Sequence, residues 1–174
     1  MMFALAKTGR IKHLSGCDIS GPMLEIAGRK RYDDLDGVSL DWICASAEKT
    51  GLADSSFDLV TCAFGLRNVD DVQAAVCEMY RLLRPGGRVC VLEFFLPSNR
   101  ILRGVYRFYL GRVMPILGKY IAGSDGPWRY LAESIQEWAD ANCLTGQLQR
   151  AGFEVSEVRL LTFGTVQIHL AVKK

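Results

Sequence analysis

Residues 57–71, FDLVTCAFGLRNVDD, decide how the chain is read. Phe57, Leu59, Val60, Cys62 and Ala63 make a nearly continuous apolar run, which suits a central parallel strand covered on both faces. Gly65 follows at once, where a strand must turn without a Cβ in the way. Arg67 and Asn68 then stand at the carboxyl end of the strand, and Asp70 and Asp71 open a helix. Ligands of open α/β sheets bind off the carboxyl ends of the strands. The Arg–Asn pair therefore stands where a substrate is expected. Local capping or pairing is the alternative, and this stretch alone leaves both open.

Working outward, strands and helices alternate. His13 to Asp18 reads as a short strand, and Ser20 and Gly21 cap a helix with Pro22 at a permitted first-turn position. Met23, Leu24, Ile26 and Ala27 give that helix an apolar stripe. The basic run Arg29-Lys30-Arg31 closes it, as a solvated helix end favoured by the dipole. Val38 to Cys44 is the next strand, followed by Ala45-Ser46-Ala47-Glu48. Downstream of the central stretch, Asp70 to Leu83 is an amphipathic helix, with Val72, Ala75, Val76, Met79, Leu82 and Leu83 on the helical period. Pro85-Gly86-Gly87 is expected to end it. Val89 to Phe95 is a further strand, apolar apart from Glu93. Residues 1–9 read as the end of a helix stopped by Gly9.

Residues 98–121 differ in character. Leu102, Val105, Tyr106, Tyr109 and Val113 form an apolar stripe, and Arg100, Arg103 and Arg107 share another face. No acidic residue stands between Ser98 and Ser124. Pro115 is expected to end or kink the helix. Gly123 to Pro127 reads as a loop, Trp128 to Trp138 as helix, and Thr145 to Ala151 as a last helix. Phe153–Leu161 and Gly164–Val172 close the chain as two strands in an antiparallel hairpin. The fold class is thus α/β: a Rossmann-like, doubly wound, mostly parallel sheet.

Composition bounds the function. A chain of 174 residues is read as a single domain over 1–174, able to bury roughly 70% of its unfolded surface. A net charge of +2 gives no argument for nucleic acid as a partner. No apolar run is long enough to span a membrane, and the first residues lack the pattern of a signal peptide. The six cysteines form no CxxC pair and have no paired His spacing, so no metal site is expected and a reduced, cytoplasmic compartment is.

Asp18 ends its strand where a carboxylate can accept hydrogen bonds from both hydroxyls of a ribose; helix capping is the other role for it. Read in order, strand-Asp18, strand-Ala45-Ser46-Ala47-Glu48, strand-Ala63 and RLLRPGGRVCVLEF resemble the class I S-adenosylmethionine-dependent methyltransferases. FGLRNVDD at 64–71, RLLRPGGRVCVLEF at 81–94 and WRYLAESI at 128–135 resemble the ubiquinone/menaquinone biosynthesis C-methyltransferase family across essentially the whole chain.

The resemblance implies S-adenosylmethionine as cofactor and a polyprenylated quinol as substrate. Asp18 would hold the cofactor ribose, and Ser46 and Ala47 would flank its adenine, with Met23 and Ala63 also on the cofactor side. The family more often has Asn-Ala at 46–47, so Ser46 is expected to bind differently, and Ser at 63, so Ala63 removes one hydroxyl. Arg67 and Asn68 would face the quinol, as the catalytic pair. Arg67 stays protonated at all working pH, so it is cast as a stabiliser of the phenolate or as the anchor of a water that takes the proton. Glu93 and His169 are weaker candidates for the base, and His169 reads better as a sheet residue. Residues 98–140 would form a helical lid over a greasy substrate, or rest peripherally on an anionic membrane; packing of the same stripe on the sheet is the alternative. A homodimer is left open.

The family begins with a longer N-terminal segment, then a first strand and a glycine-rich loop that cradles the cofactor's methionine part. That strand is central, between those near Leu14 and Leu59. Without it two inner strand edges lack partners, so residues 1–174 alone are expected to be marginal in stability and weak in cofactor binding. A methyltransferase with another small-molecule acceptor and a non-catalytic remnant are the competing readings.

Overall fold

The computed structural model describes residues 9–30, 37–122, 126–138 and 141–174. The expected helix end at 1–9 and Arg31 of the basic run lie outside them, apart from Gly9. The described residues fall into two compact units, one up to Ala53 and one from Asp54 onward.

In the first unit, β1 (His13–Asp18) and β2 (Ser39–Cys44) pair in parallel, with Asp18 opposite Cys44. Gly16 lies opposite Trp42, and a Cβ there would stand 2.5 Å from the indole ring. Between the strands runs α1 (Gly21–Arg29), capped by Ser20, with Pro22 in its first turn. Its apolar stripe is not sealed: Met23 and Ile26 are exposed, and no described residue of this unit is buried.

The second unit holds a four-stranded sheet in the order β3-β4-β6-β5, built from β3 (Phe57–Ala63), β4 (Leu83–Phe94), β5 (Phe153–Leu161) and β6 (Val166–Lys173). β3 and β4 are parallel, and β6 is antiparallel to both β4 and β5. The fold class is the expected one, α/β and Rossmann-like with a closing antiparallel hairpin. The strands do not join into one sheet, however: β1 and β2 pair only with each other among the described residues. The two sheets belong to different units.

Two further expectations are corrected. The segment Pro85-Gly86-Gly87 does not follow the helix as a simple stop. α2 (Val72–Leu82), capped by Asp71, runs directly into β4, and the glycines form a bulge inside that strand. Phe57 pairs with Leu83 but Leu59 pairs with Arg88. Gly86 has φ 81°, and a Cβ on Gly87 would meet the Arg84 carbonyl at 2.8 Å. The break in residues 98–121 also comes before Pro115. α3 (Arg100–Phe108) passes through one wide π-helical turn, Tyr109–Val113, into α4 (Met114–Ala122). Proline lacks an N–H and crowds the carbonyl four residues back. That carbonyl belongs to Gly111, inside the wide turn.

α5 (Gly126–Glu137) starts two residues earlier than expected, and α6 (Ala141–Arg150) four earlier. A compact core cluster of Leu110, Met114, Ala132 and Ile135 joins the π turn, α4 and α5, with Phe94 packed against it. Among the described residues no helix is long and apolar enough to cross a membrane.

Candidate functional site

The sequence-marked residues divide between the two units. Asp18, Met23, Ser46 and Ala47 belong to the first. The parallel register of β1 and β2 brings the carboxyl ends of both strands together, and the Ala45 N–H donates to the Asp18 carbonyl at 3.2 Å. Asp18 Oδ1 accepts the Ser20 N–H at 2.8 Å, so the residue does help to shape the turn into α1. Its Oδ2 takes no hydrogen bond among the described residues, and the side chain is exposed. That oxygen fits a diol donor such as a ribose. Ser46 is committed locally: its hydroxyl accepts the Glu48 N–H at 3.2 Å and donates to the Glu48 carboxylate at 3.3 Å. Ala47 is half-buried beside it, and Met23 projects from the first turn of α1.

Ala63, Arg67 and Asn68 belong to the second unit, at the carboxyl end of β3. The turn out of the strand is made by Phe64, with φ 56°, and not by Gly65, whose backbone is helical. Gly65 has another reason to lack a Cβ, because Cys62 Sγ would stand 3.2 Å from it. The left-handed Phe64 hands the chain to a short 3-10 turn, Leu66–Asn68. Its carbonyl accepts from Arg67 Nη1 at 2.8 Å and from Asn68 Nδ2 at 3.4 Å.

Arg67 is held on three sides. Nη1 also donates to Glu93 Oε1 at 2.7 Å, and Nε donates to Ser134 Oγ at 3.3 Å. The guanidinium lies 5.4 Å from the centre of the Phe94 ring. The ion pair is buried, with side-chain exposures of 8% for Arg67 and 0% for Glu93. Glu93 Oε1 further accepts the Phe94 N–H at 2.9 Å, and Oε2 accepts the Arg67 N–H at 3.4 Å. Both carboxylate oxygens are thus occupied, which makes Glu93 a clamp for Arg67 rather than a base open to substrate. His169 is buried in β6 with its ring 5.5 Å from that of Phe95, as a sheet residue. Burial, with the Glu93 carboxylate second, pushes the Cys62 thiol up to about 11, so it stays protonated and unreactive at neutral pH.

Three of the five Arg67 donors are therefore used, and the two on Nη2 take no partner among the described residues. Arg67 lines a cleft of about 440 Å³ together with Val72, Tyr130, Ser134, Trp138 and Gln147. That volume suits a small aromatic ligand. Asn68 Oδ1 accepts from the Tyr130 hydroxyl at 2.9 Å, so α5 is tied to the turn at both catalytic candidates. Sequence reasoning did not single out Phe64, Tyr130 or Ser134. Tyr130 and Ser134 both lie in the WRYLAESI stretch, whose sequence alone gives no sign that they meet Asn68 and Arg67.

A model of the ubiE/COQ5 methyltransferase family matches residues 1–173. The chain belongs to that family. It is 42% identical over 157 residues to the ubiquinone/menaquinone biosynthesis C-methyltransferase UbiE of Pseudoalteromonas translucida, covering 90% of this chain and 62% of the relative. It is 43% identical over 155 residues to the demethylmenaquinone methyltransferase of Thermus thermophilus, covering 89% of this chain and 69% of that one. The chain thus spans about three fifths of the length of the first of these relatives. Among solved structures, a SAM-dependent methyltransferase from Methanosarcina mazei superposes with a TM-score of 0.63 at 20% identity, over 98% of this chain and 85% of that one. At that identity the likeness speaks for the fold alone.

Proposed function

We propose that this chain carries the catalytic residues of an S-adenosylmethionine-dependent C-methyltransferase that acts on a polyprenylated quinol, of the demethylmenaquinol or 2-polyprenyl-6-methoxy-benzoquinol kind. One observation carries the reading: in a chain of this family, Arg67 presents an uncommitted Nη2 at the wall of a cleft off the carboxyl end of β3.

When bound, the cofactor would supply an electrophilic methyl group to a quinol ring carbon and leave as a neutral thioether, and the ring proton would pass to water. The chain's own residues position and stabilise. In the first unit Asp18 Oδ2 would accept from the ribose, with Met23, Ser46 and Ala47 as the other residues assigned to the cofactor; in the second unit Ala63 is the residue so assigned. Arg67 Nη2 donates to the quinol oxygen, whose negative charge rises as the ring carbon becomes nucleophilic. A fixed cation at the cleft wall stabilises that charge without reorganising. Glu93 and Ser134 keep the guanidinium from swinging, and positional errors of an ångström cost about a hundredfold in rate. Asn68, held by Tyr130, orients the same ring. Residues 98–140 cover the polyprenyl tail as a lid.

The test follows labelled methyl from S-adenosylmethionine into a demethylated quinol, using the protein at the length of its relatives and locating the methyl on carbon or oxygen. C-methylation is expected, with Arg67→Lys lowering kcat by at least about tenfold while the cofactor KM holds. O-methylation, or no labelled quinol at all, overturns the reading.

A further inference from the structure

α5 is apolar on one face and polar on the other. Ala132 and Ile135 are buried in the core cluster with Leu110 and Met114. Tyr130, Glu133, Ser134 and Glu137 share the opposite face and line the cleft beside Arg67. Two of these four hold the turn after β3. The Tyr130 hydroxyl donates to Asn68 Oδ1 at 2.9 Å. Ser134 Oγ accepts from Arg67 Nε at 3.3 Å and donates to the Leu131 carbonyl at 3.1 Å. The other two, Glu133 and Glu137, are exposed, and neither carboxylate has a hydrogen bond or ion pair among the described residues.

Charge and hydrogen-bonding capacity say what this cleft accepts. Arg67 brings it no net charge, because Glu93 answers the guanidinium at 2.7 Å. The lining is therefore negative, through two carboxylates that only accept hydrogen bonds. Against them stands Nη2 of the buried Arg67, which only donates and has no partner among the described residues. An anion is disfavoured here, and a neutral ring that offers one oxygen to a donor and one O–H to an acceptor is favoured. Position separates the two carboxylates. Glu133 precedes Ser134 by one residue and is level with the Ser134–Arg67 contact. Glu137 follows Ser134 by three residues, about 4.5 Å further along the helix, a displacement comparable to the width of an aromatic ring.

The geometry points to Glu137 as the residue that distinguishes a reduced ring from an oxidised one. The role rests on the quinol reading above and adds a determinant of specificity to it. With one quinol oxygen on Arg67 Nη2, the hydroxyl across the ring donates its O–H to the Glu137 carboxylate. The quinone has no O–H there, and its carbonyl sets lone pairs against those of the carboxylate. Only the reduced ring has a nucleophilic carbon, so the preference keeps an unreactive ring out of the cleft. A fully buried acceptor rejects an analogue that lacks the donor by roughly four orders of magnitude. Glu137 stays open to water, which solvates it when a quinone is bound, so a smaller preference is expected.

The experiment is an anaerobic calorimetric titration of a short-tailed naphthoquinol, and of the matching naphthoquinone, into the protein at the length of its relatives, without cofactor so that no methyl moves. The quinol is expected to bind at least about tenfold more tightly. Glu137→Gln should bring the two within about threefold, chiefly by strengthening quinone binding, because an amide donates to a carbonyl as well as it accepts from a hydroxyl. Lost folding or loosened packing does not produce a gain in quinone affinity. Glu133→Gln should keep a preference of at least about fivefold. Equal affinity of the unmutated protein for both rings, an undiminished preference in Glu137→Gln, or an equal collapse in Glu133→Gln overturns the assignment. Labelled-methyl transfer separates the two readings. C-methylation without any redox preference removes this role for Glu137 and leaves the methyltransferase, whereas a redox preference without C-methylation overturns the methyltransferase reading instead.

Discussion

At Phe64 a bulky residue holds a left-handed backbone, φ 56°, directly after the last residue of β3. Such conformations cost on the order of 1–3 kcal/mol and collect at functional sites. Here the strain has a visible return. It aims the Phe64 carbonyl at Arg67 and Asn68 and lays the Phe64 ring 4.5 Å from that of Phe94. The buried Arg67–Glu93 pair next to it makes a stability prediction. Arg67→Ala leaves the Glu93 carboxylate buried without its cation and should cost about 3–5 kcal/mol in urea denaturation. Arg67→Met combined with Glu93→Gln should recover more than half of that, because no charge is stranded. A double variant as unstable as the single one would show that the loss comes from packing and not from charge. The sequence made Arg67, Asn68 and Asp18 legible, because each follows an apolar strand at the end where ligands bind. It did not reveal Phe64, since a Phe beside a Gly gives no reason to expect the Phe to take the left-handed turn. Nor did it reveal Glu93 as the clamp, because that contact depends on the parallel register of β3 with β4, across 26 residues of chain.

Among the elements, the strands and amphipathic helices were legible from periodicity, as in α2, where Ala75, Val76, Met79 and Leu82 are all buried. The places where the pattern misled are local conflicts. The double glycine became a bulge because β4 had to begin early enough to pair Leu83 with Phe57. The helix break moved ahead of Pro115 because the disturbance a proline causes lies one turn upstream. The packing of α4 on α5 turns on Gly118. A Cβ there would overlap Trp128 Cδ1 and Cγ, the root of the indole, which cannot swing aside cheaply. Gly118→Ala should therefore lower stability by about 1–3 kcal/mol despite alanine's better helix propensity. A melting temperature that rises instead would mean that the two helices do not cross this closely.

For the whole molecule, the division into two sheets is the feature periodicity could not foresee, because a strand pattern says which segments extend and not which edges find a partner. β3 is an edge strand of its sheet, although its apolar run reads as central. In the first unit no described residue is buried. Four of the five residues proposed for the cofactor, Asp18, Met23, Ser46 and Ala47, belong to that unit, so the proposed cofactor binding is the property most exposed to its stability. The most direct measurement is a calorimetric titration of S-adenosylhomocysteine into the protein at the length of its relatives, with and without Asp18→Ala. The account predicts one site per chain, weakened by Asp18→Ala by about 1.5–3 kcal/mol, or roughly ten- to 150-fold, the range for hydrogen bonds to a charged group. An unchanged dissociation constant would return Asp18 to its turn-forming role, and no binding in the unmutated protein would contradict the methyltransferase reading itself.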